Sequence, residues 1–514
     1  MPEKIFNRIK ESFLPQWKVC LLSALCAGLI THLYKITNHI PNWDGLVFRY
    51  DAQWMIGLGR WFLAVVCSLS SFYDLPFLNG LIAILFHGFG AVCICKILNI
   101  QKKTTAFLIG ALTATFPVVT SVMMYSYVAD GYSIAFFFSC LAALFLTAEK
   151  PKFIPSVILI ALSAAIYQAY ITVTIMLLLL WLTDNLVYGG RDAGYLVKKC
   201  LVFLPAGALG LLVYNSILTA ILKITGTELL EYQGINASIS LQNIDIPASL
   251  YQIKETLTGF FFDFSQGFSV FIFLNITVFV LTVLIYLKYA FDNKILSSIP
   301  KVLLLVLFAA LIIIGSTVLV FINPGIDYHN LMLMGYCVFY IFFVMLYERG
   351  DKDEKKAALR CWTVLAVSLV LILTNTVIAN VSYHKAQMAY EKSYGMLIRI
   401  ADRIEQTESA EECSEILVIG ALKDSKNYSA VLPPDITGIT DGYIIRADDE
   451  SVGQSVLCSA LNDYCGKEYK FLSGNRKKEF LENDEVEKMP LWPKKGSIAV
   501  TDGVIVIKLG SEAK

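Results

Sequence analysis

Between residues 39 and 61 the chain sets Asp44 and Asp51 close to Arg49 and Arg60, among Trp43, Phe48, Tyr50, Trp54 and Trp61. Carboxylates accept protons, and guanidinium groups present a planar fork of donors to an anion. Similar polar points recur downstream: Asp130 among Tyr125, Tyr127 and Tyr132, the pair Tyr167-Gln168, and His329 after Asp327 and Tyr328. Each has a plain structural explanation. An acid can cap a helix N-terminus, a glutamine can tie down a turn, a histidine can be satisfied at an interface, and aromatic residues form belts where membrane meets water. What favours a functional reading is their recurrence at the ends of apolar runs, because polar groups there are costly and mark substrate paths.

The elements that must carry these groups are membrane spans. The 514 residues are 56% hydrophobic and the mean hydropathy is +0.61, which excludes an ordinary soluble enzyme. Lys+Arg and Asp+Glu are 42 each, so no net charge draws the chain to nucleic acid. The charges are unevenly spread. From residue 382 onward there are 17 basic and 22 acidic side chains, leaving 45 for the first 381 residues. That asymmetry divides the chain into a membrane domain, 1–381, and a water-soluble domain, 382–514.

Apolar stretches long enough for a hydrocarbon core of about 30 Å fall near 18–35, 77–97, 104–123, 130–148, 200–223, 268–287, 302–322, 331–347 and 361–381. A tenth run, 153–187, is nearly twice a span's length and is interrupted by Tyr167-Gln168-Ala169-Tyr170, so it reads as two short spans. About eleven transmembrane helices result. With an inside N-terminus, twenty basic residues before the tail face the cytoplasm and only five, Lys35, Arg49, Arg60, Lys223 and Lys254, face outside. The chain is therefore expected to be a multi-pass protein of the cytoplasmic membrane with its C-terminal domain extracytoplasmic. Every polar cluster named above then lies on the outer side. The first run, 19–36, lacks a small-residue cleavage site and reads as an anchor rather than a signal peptide. The stretch 61–69 is too short to cross and is expected along the interface. The outside loop 226–267 ends in an aromatic-rich segment, 249–264, suited to a lipid surface or to a lid over a lipid-linked substrate.

In the tail, a helical pattern at Tyr390, Tyr394, Leu397, Ala401 and Ile404 precedes a buried-strand candidate at 416–420. A helix near 452–465 and strands near 497–501 and 504–509 follow, which together read as a small soluble α/β domain. It holds no phosphate-binding or hydrolase motif. Nine of the twelve cysteines lie in or beside apolar runs and read as small hydrophobes. Cys458 and Cys465 could pair, which the sequence leaves open.

Taken in order, Asn42-Trp43-Asp44-Gly45, Gly59-Arg60-Trp61-Phe62, Ala129-Asp130-Gly131-Tyr132, Tyr167-Gln168-Ala169 and His329-Asn330-Leu331-Met332 resemble the GtrII-type glucosyltransferases, polytopic enzymes of the GT-C class. The resemblance covers most of the first 380 residues. It implies an all-α polytopic membrane protein with a GT-C-like body, to which the soluble α/β domain is appended. The implied reaction moves glucose or another hexose from a polyprenyl-phosphate donor to a cell-surface glycan on the extracytoplasmic side, with an acid of the first outside loop as base. By match that acid is Asp44. Asp51 is the second candidate, since related sequences often carry an amide or hydroxyl there.

The chemistry suits the loop. A sugar hydroxyl is a poor nucleophile until a carboxylate takes its proton, and the departing lipid phosphate needs a fixed cation, for which Arg60 or Arg49 is available. Asp130, Tyr167, Gln168 and His329 are the expected sugar or acceptor contacts. Asp44 and Asp51 could share a divalent metal, but two acids lack a third ligand, so no cofactor and no metal ligand is assigned. The expected partners are the polyprenyl-phosphate sugar, the acceptor glycan and the bilayer, with no nucleic acid. Two other classes stay open: a glycolipid or small-solute transporter or flippase, and a surface polysaccharide polymerase. A carrier would be expected to keep its polar groups near mid-bilayer, perhaps in inverted repeats, and no such repeat is present in the sequence.

Overall fold

A helix with apolar side chains on every face has two stable surroundings, a protein core or lipid. The computed structural model describes residues 3–4, 13–47, 52–230, 245–263, 269–322, 328–349, 354–420 and 450–510. Among them, nine helices are long and apolar enough to cross a membrane: Pro15–Thr37, Pro76–Ile97, Lys103–Met124, Ser126–Thr147, Gln168–Val187, Ala193–Thr225, Ser269–Asp292, Ile299–Ser316 and Lys355–Glu405. Two shorter apolar helices, Phe153–Ile166 and Met334–Glu348, lie where the sequence suggests the fifth and tenth spans. The chain is a helical, multi-pass membrane protein.

Breaks in these helices have local causes. Pro117 forbids helical geometry to the residue before it, and Phe116 is extended, with ψ 135°. Tyr167 is extended as well (φ −156°, ψ 114°), ending Phe153–Ile166. A single turn, Gln168–Tyr170, then leads into Ile171–Val187. The long run 153–187 is thus interrupted where its polar residues stand. Close helix contacts use small residues, as is usual in membrane bundles. A Cβ on Gly110 would lie 2.2 Å from the Cys20 carbonyl oxygen, so only glycine lets these two helices meet.

By their described residues, 3–37 and 52–380 form one compact unit and 38–47, 381–420 and 450–510 form a second. In the second, a four-stranded sheet has the order β2-β1-β4-β3, with β1 Glu415–Ile419, β2 Lys470–Phe471, β3 Ile498–Thr501 and β4 Val504–Lys508. β1 is parallel to β2 and β4, while β3 and β4 form an antiparallel hairpin. Asp502 and Gly503 turn that hairpin with φ of 48° and 74°, the two positive values that suit a two-residue turn to the strand twist. Ile416, Val418, Ile505 and Ile507 face a core shared with Val456 and Leu461 of the helix Glu450–Cys465. Leu417, Ile419, Val504 and Val506 face a second core with Leu472, Phe480 and Val486. Burial on both faces is why β1 and β4 read as continuous apolar runs.

Two features differ from the sequence reading. The last span and the following helical pattern form a single helix, Glu354–Glu405, of 52 residues, about 78 Å long at 1.5 Å per residue. No proline interrupts it, and Tyr383, Ala386, Leu397, Ile400 and Ile404 keep one face buried. The short strand β2 carried no sequence signal, because two residues cannot show a period. Cys458 and Cys465 are both free thiols. Burial pushes the Cys458 thiol up to about 11, so it stays protonated and unreactive near neutral pH.

Candidate functional site

Gly59 shapes the segment that presents Arg60. The helix Ala52–Gly57 closes with Arg60 N donating to Met55 O (2.8 Å) and Gly59 N to Ile56 O (2.9 Å), a Schellman closure with glycine in the left-handed region. Gly59 has φ 76°, and a Cβ there would stand 2.7 Å from Tyr214 Oη and 2.9 Å from Gln168 Nε2. Both conformation and space demand glycine. Gln168 Nε2 donates to Leu58 O (3.0 Å) and to Tyr214 Oη (3.1 Å), and Tyr214 Oη donates to Gly59 O (3.0 Å). Gln168 is thus a strut for the turn.

Arg60 stands at the start of the helix Trp61–Leu69. Its Nη1 donates to Tyr132 Oη at 3.1 Å, and its guanidinium lies 4.7 Å from the Tyr167 ring centre, a cation–π distance. The Tyr132 and Tyr167 rings stack at 4.7 Å with 15° between planes, and Tyr170 adjoins Tyr167 at 5.8 Å. A half-buried guanidinium is therefore oriented by two stacked tyrosines drawn from distant parts of the chain. Such a group can bind an anion without first being ordered.

Asp130 lies deeper, 2% exposed. Its Oδ1 accepts from Gly131 N at 2.8 Å, and Ser70, whose hydroxyl donates to Cys67 O at 3.1 Å, lies beside the carboxylate. The helix Ser126–Thr147 packs here against Trp61–Leu69. His329 Nδ1 accepts from Leu331 N at 3.2 Å, and its ring meets Tyr125 edge-on at 5.9 Å. Beside it, Tyr328 Oη donates to Leu319 O at 2.8 Å. Burial raises the Tyr328 phenol above its ordinary value, so the hydroxyl remains a donor.

Asp44 sits in the first turn of a five-residue helix, Trp43–Val47, half-buried, and its amide is capped by Asn42 Oδ1 at 2.9 Å. That helix is part of the second unit. Arg60, Tyr132, Tyr167, Gln168 and Tyr214 converge in the first. Asp51, Arg49 and Asp327 lie outside the described residues. Among the described residues no three His, Cys, Asp or Glu side chains gather as metal ligands.

Two residues of this region escape a sequence reading. Tyr214 lies in the helix Ala193–Thr225 and carries no motif. Lys35 reads as an outer-end charge, yet it is 1% exposed and donates to Ser126 Oγ at 3.3 Å. Asn79 Nδ2 donates to Ser126 O at 2.9 Å. Lys35 and Asn79 thereby fix the start of the helix that carries Asp130 and Tyr132. A lysine closing an apolar run is the one signal the sequence offers, and it reads equally as a snorkelling side chain.

The family described as glucosyl transferase GtrII matches residues 33–347, more than half of the chain and all of the Arg60 cluster. The chain belongs to the GtrII family. Membership implies glycosyltransferase activity in this membrane protein. No curated protein and no solved structure matches the chain.

This GtrII family member also has a cavity of about 580 Å³ bounded by the helices Ile246–Phe262, Ser269–Asp292, Ile299–Ser316 and Cys337–Glu348. Its walls are apolar side chains such as Ile253, Leu257, Phe279, Leu305 and Phe342, joined by Lys254. The volume falls within the usual range for small-molecule sites.

Proposed function

We propose that this GtrII family member is a GT-C-type hexosyltransferase, moving glucose or another hexose from a polyprenyl-phosphate donor to a surface glycan on the extracytoplasmic face of the cytoplasmic membrane. The observation that carries the reading is Arg60, held on Tyr132 and Tyr167 inside the family-matched region. The acceptor hydroxyl attacks the sugar C1 and a new C–O bond forms. The bond from C1 to the phosphate oxygen breaks, and its electron pair leaves with the lipid phosphate. Asp44 takes the hydroxyl proton, and Arg60 stabilises the charge that develops on the phosphate. Tyr167 and His329 contact the sugar or acceptor, while Gln168 and Asp130 hold the elements that carry the site. The apolar cavity beside Lys254 suits a hydrocarbon chain. The domain division 1–381 and 382–514, with the C-terminal domain extracytoplasmic, belongs to this reading.

The test is a comparison of surface glycans from cells with and without the protein. Loss of one hexosyl linkage on deletion, restored by the gene, is expected. Identical glycans, with a lipid-linked sugar accumulating on the inner leaflet, would favour a flippase instead. Sidedness has its own measurement. Single cysteines at the exposed positions Ser473 and Ser297, each compared with the unsubstituted protein, should differ in intact protoplasts. An impermeant thiol reagent is expected to label Ser473→Cys and spare Ser297→Cys. Labelling at position 297 would overturn the orientation.

A further inference from the structure

A five-residue helix has almost no stability of its own, because nucleation outweighs the few hydrogen bonds it forms. Trp43–Val47 is such a helix, so something outside it must fix its position. Within the segment, Asn42 Oδ1 receives the Asp44 amide at 2.9 Å, and Leu46 N donates to Asn42 O at 3.3 Å. Asn42 is 1% exposed and Ile40 fully buried. External support comes from Leu46, 6% exposed, which enters the core formed by Leu397, Ile400, Val456, Leu457 and Leu461. The helix packs against Glu450–Cys465, and residues 38–47 belong to the same compact unit as the sheet. More than 400 residues separate Leu46 from Leu461.

We propose that the C-terminal unit is the scaffold of the acid-bearing loop, with Leu46 as the anchor that positions Asp44. The domain without a catalytic motif thereby holds a reactive carboxylate that the adjoining chain cannot hold by itself. Leu46 is a positioning residue and touches no substrate. Its influence on the reaction runs through the placement of the Asp44 carboxylate, where an error of about 1 Å can cost about 10²-fold in rate.

The test uses the full-length protein in detergent micelles, with Leu46→Ala, Leu46→Met and hydrogen exchange read at single amides. In Leu46→Ala, turnover at saturating substrates is expected to fall by about 10²-fold with KM for the lipid donor unchanged. The Asp44 and Leu46 amides should lose protection, and those of β4 should keep it. Leu46→Met keeps the volume and should restore both turnover and protection. Normal turnover together with intact protection of the loop would overturn the proposal. So would loss of protection throughout β4, since Leu46 would then support the whole unit rather than one loop. The catalytic part rests on Asp44 as proton acceptor. If Asp44→Asn retains full turnover while Leu46→Ala frees the loop amides, the assignment of Asp44 fails and the anchoring stands.

Discussion

Asp44→Asn is expected to lower sugar transfer by about 10²–10⁴-fold, the range for removing a general acid–base group, while expression and donor binding should stay near normal. The change keeps the side chain's size and removes its basicity. The cap from Asn42 Oδ1 reaches the backbone amide of residue 44 and not its side chain, so the helix Trp43–Val47 should form as before. Purified protein, a lipid-phosphate hexose and isolated acceptor glycan provide the assay. Asp51→Asn should be milder, because that position matches the family pattern less well. Normal transfer by Asp44→Asn beside an inactive Asp51→Asn would move the base to Asp51. Full activity in both variants would reduce the loop to a surface belt and make the transporter reading the better one.

Arg60→Lys is expected to lower turnover by about 10²-fold, at the lower end of the effect of deleting one transition-state donor, and also to weaken donor binding. Charge is preserved in this variant. What is lost is the planar fork, the bond to Tyr132 Oη at 3.1 Å and the guanidinium face over Tyr167 at 4.7 Å. A lysine ammonium is a strongly hydrated point charge and reproduces neither contact. Both constants must be measured over a range of donor concentrations. A change in KM alone would assign Arg60 to ground-state binding of the donor. Unchanged kcat and KM would remove it from the phosphate site.

The candidate site was partly legible in the sequence. Arg60, Tyr167 and Gln168 stand out because polar residues beside apolar runs need an explanation, and all three lie inside the range that the GtrII family matches. What each does was not legible. Gln168 reads as a substrate contact, and in the structure it donates to Leu58 O and Tyr214 Oη. Asp130 reads as a site acid and is buried against Ser70 and Gly131. A spacing cannot tell a side chain facing a ligand from one facing a neighbouring helix, since both lie at the same end of a span.

By itself the sequence determined the features that depend on local chemistry. Apolar length sets where the chain can cross lipid. The polar interruption at Tyr167-Gln168-Ala169-Tyr170 sets where the long run 153–187 breaks, and continuous apolar runs mark β1 and β4. Tertiary structure alone decided the features built from residues far apart. Among these are the stacking of Tyr132 on Tyr167 beneath Arg60, the hydroxyl of Tyr214 on Gly59, and Leu46 in the core of the C-terminal unit. The reason is physical: hydropathy and turn chemistry act within a few residues along the chain, whereas a buried contact is stabilised by whichever surface excludes water from it. That partner can lie hundreds of residues away, and no local pattern records it.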